Sequence, residues 1–119
     1  MDPILRTFLV VLAVVAFGTL AYFVHLVRST QYSAVQVFFW LIAKGMNRFL
    51  WRTQFEGSLP GPDDGGAIII SNHRTSVDPF FMQVTSIRVI RWMVAREYSE
   101  GLAFGWFFRL CAAISVNRG

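Results

Sequence analysis

Ala67-Ile68-Ile69-Ile70-Ser71-Asn72-His73-Arg74-Thr75-Ser76-Val77-Asp78-Pro79 is the stretch on which the fold turns. It opens on three consecutive isoleucines. A β-branched apolar run with no polar alternation suits a strand buried on both faces, as in a parallel sheet covered on both sides. Asn72 to Val77 reads as a polar connection. Asp78-Pro79 is a helix start, because an Asp carboxylate accepts backbone N–H bonds as N-cap and proline is tolerated at the first helical position. Thr75 and Ser76 are alternative starts, and the helix should end near Ser86.

Working outward, the same alternation continues. Residues 87–95, around Val89-Ile90 and Met93-Val94, read as a second strand. Residues 97–112 read as a second helix, weakened by Gly101 and Gly105. Ile114-Ser115-Val116-Asn117 reads as a third core strand. Upstream, 53–57 alternates polar and apolar and suits a short strand, and SLPGPDDGG at 58–66 is a loop by composition. Strands alternating with helices imply an α/β fold with parallel pairing and right-handed crossovers. In such open sheets the ligand site lies beyond the carboxyl ends of the strands. His73 falls just past one such end and Arg118 just past another.

The first fifty residues have a different texture. Between Arg6 and Arg28 no residue carries a fixed charge. About 20 apolar residues cross the roughly 30 Å of bilayer hydrocarbon, so 7–27 reads as a transmembrane signal anchor. A cleaved signal peptide has a shorter apolar core and a small-residue cleavage site. His25 falls near the end of this run, at the interface. Residues 33–52 combine a broad apolar face with Lys44, Arg48 and Arg52 at four-residue spacing beside Asn47. Trp40 and Trp51 suit a headgroup boundary. This pattern predicts an amphipathic helix in the membrane interface. The boundary between a membrane anchor (1–52) and a following domain (53–119) is therefore expected near Arg52. Positive charge concentrated after the first helix places the following domain in the cytoplasm.

Composition agrees with a membrane setting. The chain has 119 residues, 55% of them hydrophobic, and a mean hydropathy of +0.49. Soluble domains run nearer 45–50%. The net charge is +4, and ten of the 11 basic residues are dispersed arginines. No basic run of the nucleic-acid type occurs, so membrane and phosphate partners are expected and nucleic acid is not. Cys111 is the single cysteine, read as a small buried hydrophobe. With only His25 and His73 as histidines, no metal-ligand spacing exists.

The chemistry is expected at His73 and Asp78. Joined by a tight turn, the carboxylate can accept a hydrogen bond from one ring nitrogen, fix the tautomer, and leave the other nitrogen free as a general base. Such a base activates a substrate hydroxyl directly and is worth roughly 10²–10⁴ in rate. Asn72 and Ser76 are expected to support the turn through side-chain to backbone bonds. Ser76 lacks a Gly-x-Ser-x-Gly elbow and is not read as a hydrolase nucleophile.

Asn72-His73-x4-Asp78 resembles the first motif of the glycerol-phosphate and lysophosphatidic acid acyltransferase family. Val94-Ala95-Arg96-Glu97 and Phe104-Gly105-Trp106 resemble the stretch that follows it in that family. Residues 112–118, Ala-Ala-Ile-Ser-Val-Asn-Arg, resemble the second motif, an apolar strand ending in arginine. Ala112 stands where that family usually has glycine, and Asn117 where it usually has aspartate. The similarity covers about 55–119. It implies the first β-α-β-α-β part of an acyltransferase sheet, truncated, with a Glu-Gly third motif and a Pro-containing fourth motif expected downstream. An isolated N-terminal half of this kind is expected to be inactive.

The resemblance also implies an activity. A fatty acyl group would pass from acyl-CoA or acyl carrier protein to the hydroxyl of a lysophospholipid, with lysophosphatidic acid as the default acceptor. His73 would act as base, Asp78 would orient it, and Arg118 with Asn117 would hold the acceptor phosphate. No metal or redox cofactor is implied. The alternatives are a membrane thioesterase or esterase and a non-catalytic membrane-bound interaction module.

Overall fold

The computed structural model describes residues 2–61, 63–72 and 74–117. It forms two compact units, residues 1–30 and 31–119. The first is a single helix, α1 (Pro3–Ser29). Asp2 caps it by accepting the Ile4 N–H at 3.1 Å, and Pro3 occupies its first turn. At about 1.5 Å per residue its 27 residues reach about 40 Å, past the hydrocarbon thickness of a bilayer. By length and composition it is the one membrane-crossing candidate among the described residues. Thr7 and Thr19 donate their hydroxyls to the carbonyls of Pro3 and Val15, so these polar groups are satisfied within the helix. Its apolar side chains are exposed along nearly its whole length.

The second unit mixes short helices with a small parallel sheet. Helix α2 (Ala34–Phe49) begins with a capping box. Gln36 N–H donates to Ser33 Oγ at 3.3 Å, and Ser33 N–H donates to Gln36 Oε1 at 2.8 Å. Helix α3 (Asp78–Gln83), strand β1 (Met93–Ala95), helix α4 (Arg96–Ser99), helix α5 (Gly105–Leu110) and strand β2 (Ile114–Val116) follow. β1 and β2 pair in parallel, with Met93 opposite Ile114 and Ala95 opposite Val116. The parallel pairing expected for these two segments is present. The α/β reading holds at this coarser level.

Aromatic rings join the helices. Phe107 of α5 lies 6.4 Å from Phe39 of α2 and 6.0 Å from Phe80 of α3. Trp51 meets Phe81 edge-on at 5.3 Å. Val37, Trp40 and Asn47 form the buried face of α2. A second apolar row, Val35, Phe38, Ile42, Met46 and Phe49, recurs at helical spacing and is exposed. Helix α2 thus has two apolar faces, one packed and one open.

Several expectations are corrected. Asn47 does not lie beside an exposed basic stripe: it is 2% exposed. Its amide donates to the Ala43 carbonyl at 2.9 Å and accepts from the Thr53 hydroxyl at 3.3 Å. Arg52 stands beyond the helix, in left-handed backbone at φ 49°, so only Lys44 and Arg48 share the helical register. Lys44 Nζ sits 4.5 Å over the Trp40 ring.

Residues 67–71 form no strand, and Ile68 and Ile70 are more than 90% exposed. A strand exists only by pairing, and among the described residues β1 pairs with β2 alone. Residues 53–57 likewise form none. The second strand is shortened to three residues because side chains take the bonds of its first half. Ile90 N–H donates to Gln83 Oε1 at 3.2 Å, and the Arg88 carbonyl accepts from Gln83 Nε2 at 2.9 Å. The helix expected over 97–112 is split into α4 and α5, with a break at 100–104 around Gly101. Gly105 opens α5, where an added Cβ would stand 3.1 Å from the Ser99 carbonyl oxygen. The loop at 58–66 is tied down by Arg88, whose Nη1 donates to the carbonyls of Gly61 and Gly65 at 3.0 and 2.7 Å.

Candidate functional site

The turn before α3 is organised around Asp78. This residue is the first of the helix, and Val77 holds the N-cap position without a side-chain bond. The Asp78 carboxylate therefore does not cap its own helix, as the Asp-Pro pattern suggests. With the helix starting at Asp78 itself, the N–H groups within its reach are those of the turn behind it. Oδ2 accepts the N–H groups of Arg74 at 2.6 Å and Thr75 at 2.8 Å. Oδ1 accepts the Thr75 hydroxyl at 2.5 Å. The backbone closes the same turn, with Asp78 N–H donating to the Thr75 carbonyl at 3.2 Å. Hydrogen bonds to a carboxylate are about twice as strong as neutral ones, so three of them fix this group in both position and rotation.

Among the described residues, Thr75 and the Arg74 backbone donate to this turn, and Asn72 and Ser76 are exposed. Thr75 was legible as a Thr three residues before an Asp, a spacing at which side chains commonly close turns. Asn117 follows β2 directly and is exposed. His73 and Arg118 lie outside the described residues. The structure thus describes the Asp78 carboxylate and the turn around it.

The far end of α3 carries a second polar cluster that sequence reasoning missed. Gln83 Nε2 donates to the Tyr32 hydroxyl at 2.5 Å. That hydroxyl is 2.8 Å from the Ser86 carbonyl and 2.9 Å from that of Arg88. Trp40 Nε1 donates to the Gln83 carbonyl at 3.3 Å. Burial pushes the Tyr32 phenol up to about 12; the Gln83 bond opposes the shift and nearby Cys111 adds to it. Burial also pushes the Cys111 thiol up, which disfavours a thiolate nucleophile.

A pocket of about 450 Å³ lies beside α4, α5 and β2, with Leu102, Trp106 and Phe108 as its apolar wall and Glu100 and Arg109 as its charges. Asp78 does not line it. Ser99 and Ser115 meet there, Oγ to Oγ, at 2.9 Å.

Helix α5 ends in a Schellman motif. Ala113 N–H donates to the Phe108 carbonyl and Ala112 N–H to that of Arg109, each at 3.0 Å. Ala112 occupies the left-handed position at φ 51°, the position that favours glycine.

Compared with known proteins, residues 52–119 match the family model described as Acyltransferase. No curated protein and no solved structure matches the chain.

Proposed function

From the premise that this chain belongs to the acyltransferase family, we propose that it moves a fatty acyl group from acyl-CoA or acyl carrier protein to the hydroxyl of a lysophospholipid, lysophosphatidic acid before others. The observation that carries this reading is the Asp78 carboxylate, held by three donors at the start of α3 within the matched segment. His73 lies five residues earlier in sequence. In this mechanism His73 takes the proton of the acceptor hydroxyl as its oxygen attacks the thioester carbonyl carbon. The tetrahedral intermediate collapses, the C–S bond breaks, and the thiolate leaves with the proton that His73 carried. Asp78 orients the imidazole and stabilises the imidazolium that forms between the two transfers. Arg118, with Asn117 beside it, holds the acceptor phosphate.

The substrates are amphiphiles, and the chain is built to meet them at a membrane. Helix α1 spans, and the open face of α2 (Val35, Phe38, Ile42, Met46, Phe49) enters the interface, while Lys44 is held over Trp40 on the packed side. The greater positive charge after α1 puts the second unit on the cytoplasmic side.

The test is transfer in membranes containing the protein at its full natural length, because an isolated N-terminal half is expected to be inactive. Label from acyl-CoA is expected in phosphatidic acid only when lysophosphatidic acid is added. His73→Ala is expected to abolish it, and Asp78→Asn to lower it at least about 10²-fold. Near-parental turnover in the His73 variant would falsify the mechanism. Release of free CoA without any acceptor would favour an esterase instead.

A further inference from the structure

Asp78 stands at one end of a helix only six residues long. Isolated helices below about 12–15 residues do not hold in water, so the direction of α3 must be set from outside. The Phe80 and Phe81 ring contacts are non-directional and tolerate sliding. The hydrogen bonds at the Asp78 end that are described above join it to the residues of its own turn; those that reach other parts of the unit are described at the other end. Gln83, the last residue of α3, engages its side-chain amide fully. Its Nε2 donates to the Tyr32 hydroxyl and to the Arg88 carbonyl at 2.9 Å, and its Oε1 accepts the Ile90 N–H at 3.2 Å. Its own carbonyl accepts from Trp40. Tyr32 is 5% exposed, and its hydroxyl stands within reach of the carbonyls of Ser86 and Arg88. One hydroxyl and one amide thus tie the end of α3 to the residue preceding the α2 capping box and to the segment leading into β1. Buried polar groups of this kind are costly to leave unpaired, so the arrangement is strongly specified.

We propose that Tyr32 and Gln83 are positioning residues for acyl transfer: by locking the far end of α3 they set where the Asp78 carboxylate stands. The proposal rests on the reading of Asp78 as the group that orients the catalytic base. Six residues make a lever of about 9 Å. A misplacement of about 1 Å, even from a change far from the chemistry, can cost about 10²-fold in rate. A loosened Gln83 end therefore acts on turnover and leaves the phosphate contacts of the acceptor alone.

The experiment measures kcat and KM in membranes, in the protein at its full natural length, for Tyr32→Phe, Gln83→Leu and the double variant. It adds Val37→Ala, which removes buried volume from α2 without touching these bonds, and Asp78→Asn. Both single variants are expected to lower kcat at least about 10-fold with KM within about twofold. The double variant should be no worse than the poorer single, since the two residues act through one contact. Val37→Ala should lower the thermal midpoint and spare kcat.

Parental kcat in both single variants overturns the proposal, as does a rise in KM alone. So does an equal loss of kcat in Val37→Ala at matched stability. If Gln83→Leu does not fold, Tyr32→Phe decides, because it removes one oxygen and no volume. A second readout needs no turnover. The Phe80 and Val84 amides, bonded to the carbonyls of Val77 and Phe80, should exchange at least about 10-fold faster in Tyr32→Phe; unchanged protection overturns the lock. Parental transfer by Asp78→Asn would instead sink the catalytic reading, and amide exchange would still report whether the lock holds α3.

Discussion

Two apolar runs in this chain behave in opposite ways. Residues 7–27 become part of a continuous helix, whereas residues 67–70 form no element at all. The difference is where each finds its hydrogen bonds. A helix satisfies its backbone within itself, so an apolar run of sufficient length can form one in lipid without a neighbour. A strand must borrow every bond from another strand. Composition reports that a segment is apolar; it does not report whether a partner is there to pair with it.

The largest expected effect tests that contrast by placing the same charge in both runs. Leu12→Arg puts a cation near the middle of α1 and should cost about 2.5–3.5 kcal/mol of insertion free energy. The measurement is the fraction of chain resistant to alkaline extraction. Ile70→Arg alters a side chain that is 92% exposed and should change unfolding stability by no more than about 0.5 kcal/mol. A loss of several kcal/mol at Ile70 would show that this run is buried in a paired strand, as its sequence alone suggests, and the contrast drawn here would fail.

The same logic separates what was legible from what was not. Helix α1 and the start of α2 near Ser33 are local, and local chemistry is written in adjacent residues. The parallel pairing of Met93–Ala95 with Ile114–Val116 was legible because both runs are apolar and a helical segment separates them. Of the strand expected over 87–95, the part before Met93 was not realised, because Gln83 and Tyr32 claim its backbone groups, and nothing in its own residues signals that. Asp78 was legible as a helix-start carboxylate, but its turn toward Thr75 and Arg74 depends on where the helix begins, which shifts by one residue. Asn47 looked like a polar neighbour of Lys44 and Arg48. A polar side chain on a packed face cannot be told from a solvated one until its partner, Thr53, is placed.

A smaller effect sharpens the comparison from the side of borrowed bonds. The Tyr32 phenol stands at about 12 when folded, against an ordinary value of 10.0. A folded value above the unfolded one means that the unfolded state ionises first as pH rises. Stability from this group is therefore complete below pH 10 and is lost as pH climbs from about 10 to about 12. Tyr32→Phe cannot ionise, so part of the alkaline loss should vanish in that variant. Thermal midpoints at pH 9 and pH 11 are the measurement. The parent should fall further between the two than Tyr32→Phe does. Equal falls would mean that the phenol is no better solvated when unfolded than in its site beside Gln83.

The smallest effect comes from Ala112, and it tests the local side of the comparison. The Schellman motif at the end of α5 requires a left-handed residue at this position, and Ala112 supplies it at φ 51°. An L-residue pays about 1–2 kcal/mol for that conformation because its Cβ crowds the following carbonyl. Glycine avoids the crowding but loses about 0.5–1 kcal/mol more conformational entropy on folding. The balance favours Ala112→Gly by about 0.5–1 kcal/mol, which for a unit of this size raises the thermal midpoint by about 2–6 °C. The Ala112 carbonyl also accepts from Arg91 Nε at 3.3 Å, a bond to the backbone that the substitution leaves in place. This stretch resembles the second motif of the acyltransferases, where glycine is usual at this place, and the left-handed turn from α5 into β2 is a backbone that glycine adopts without crowding. A midpoint that falls on Ala112→Gly would mean that the methyl group packs usefully enough to outweigh its strain, and that this helix end is fixed by its surroundings rather than by its own backbone.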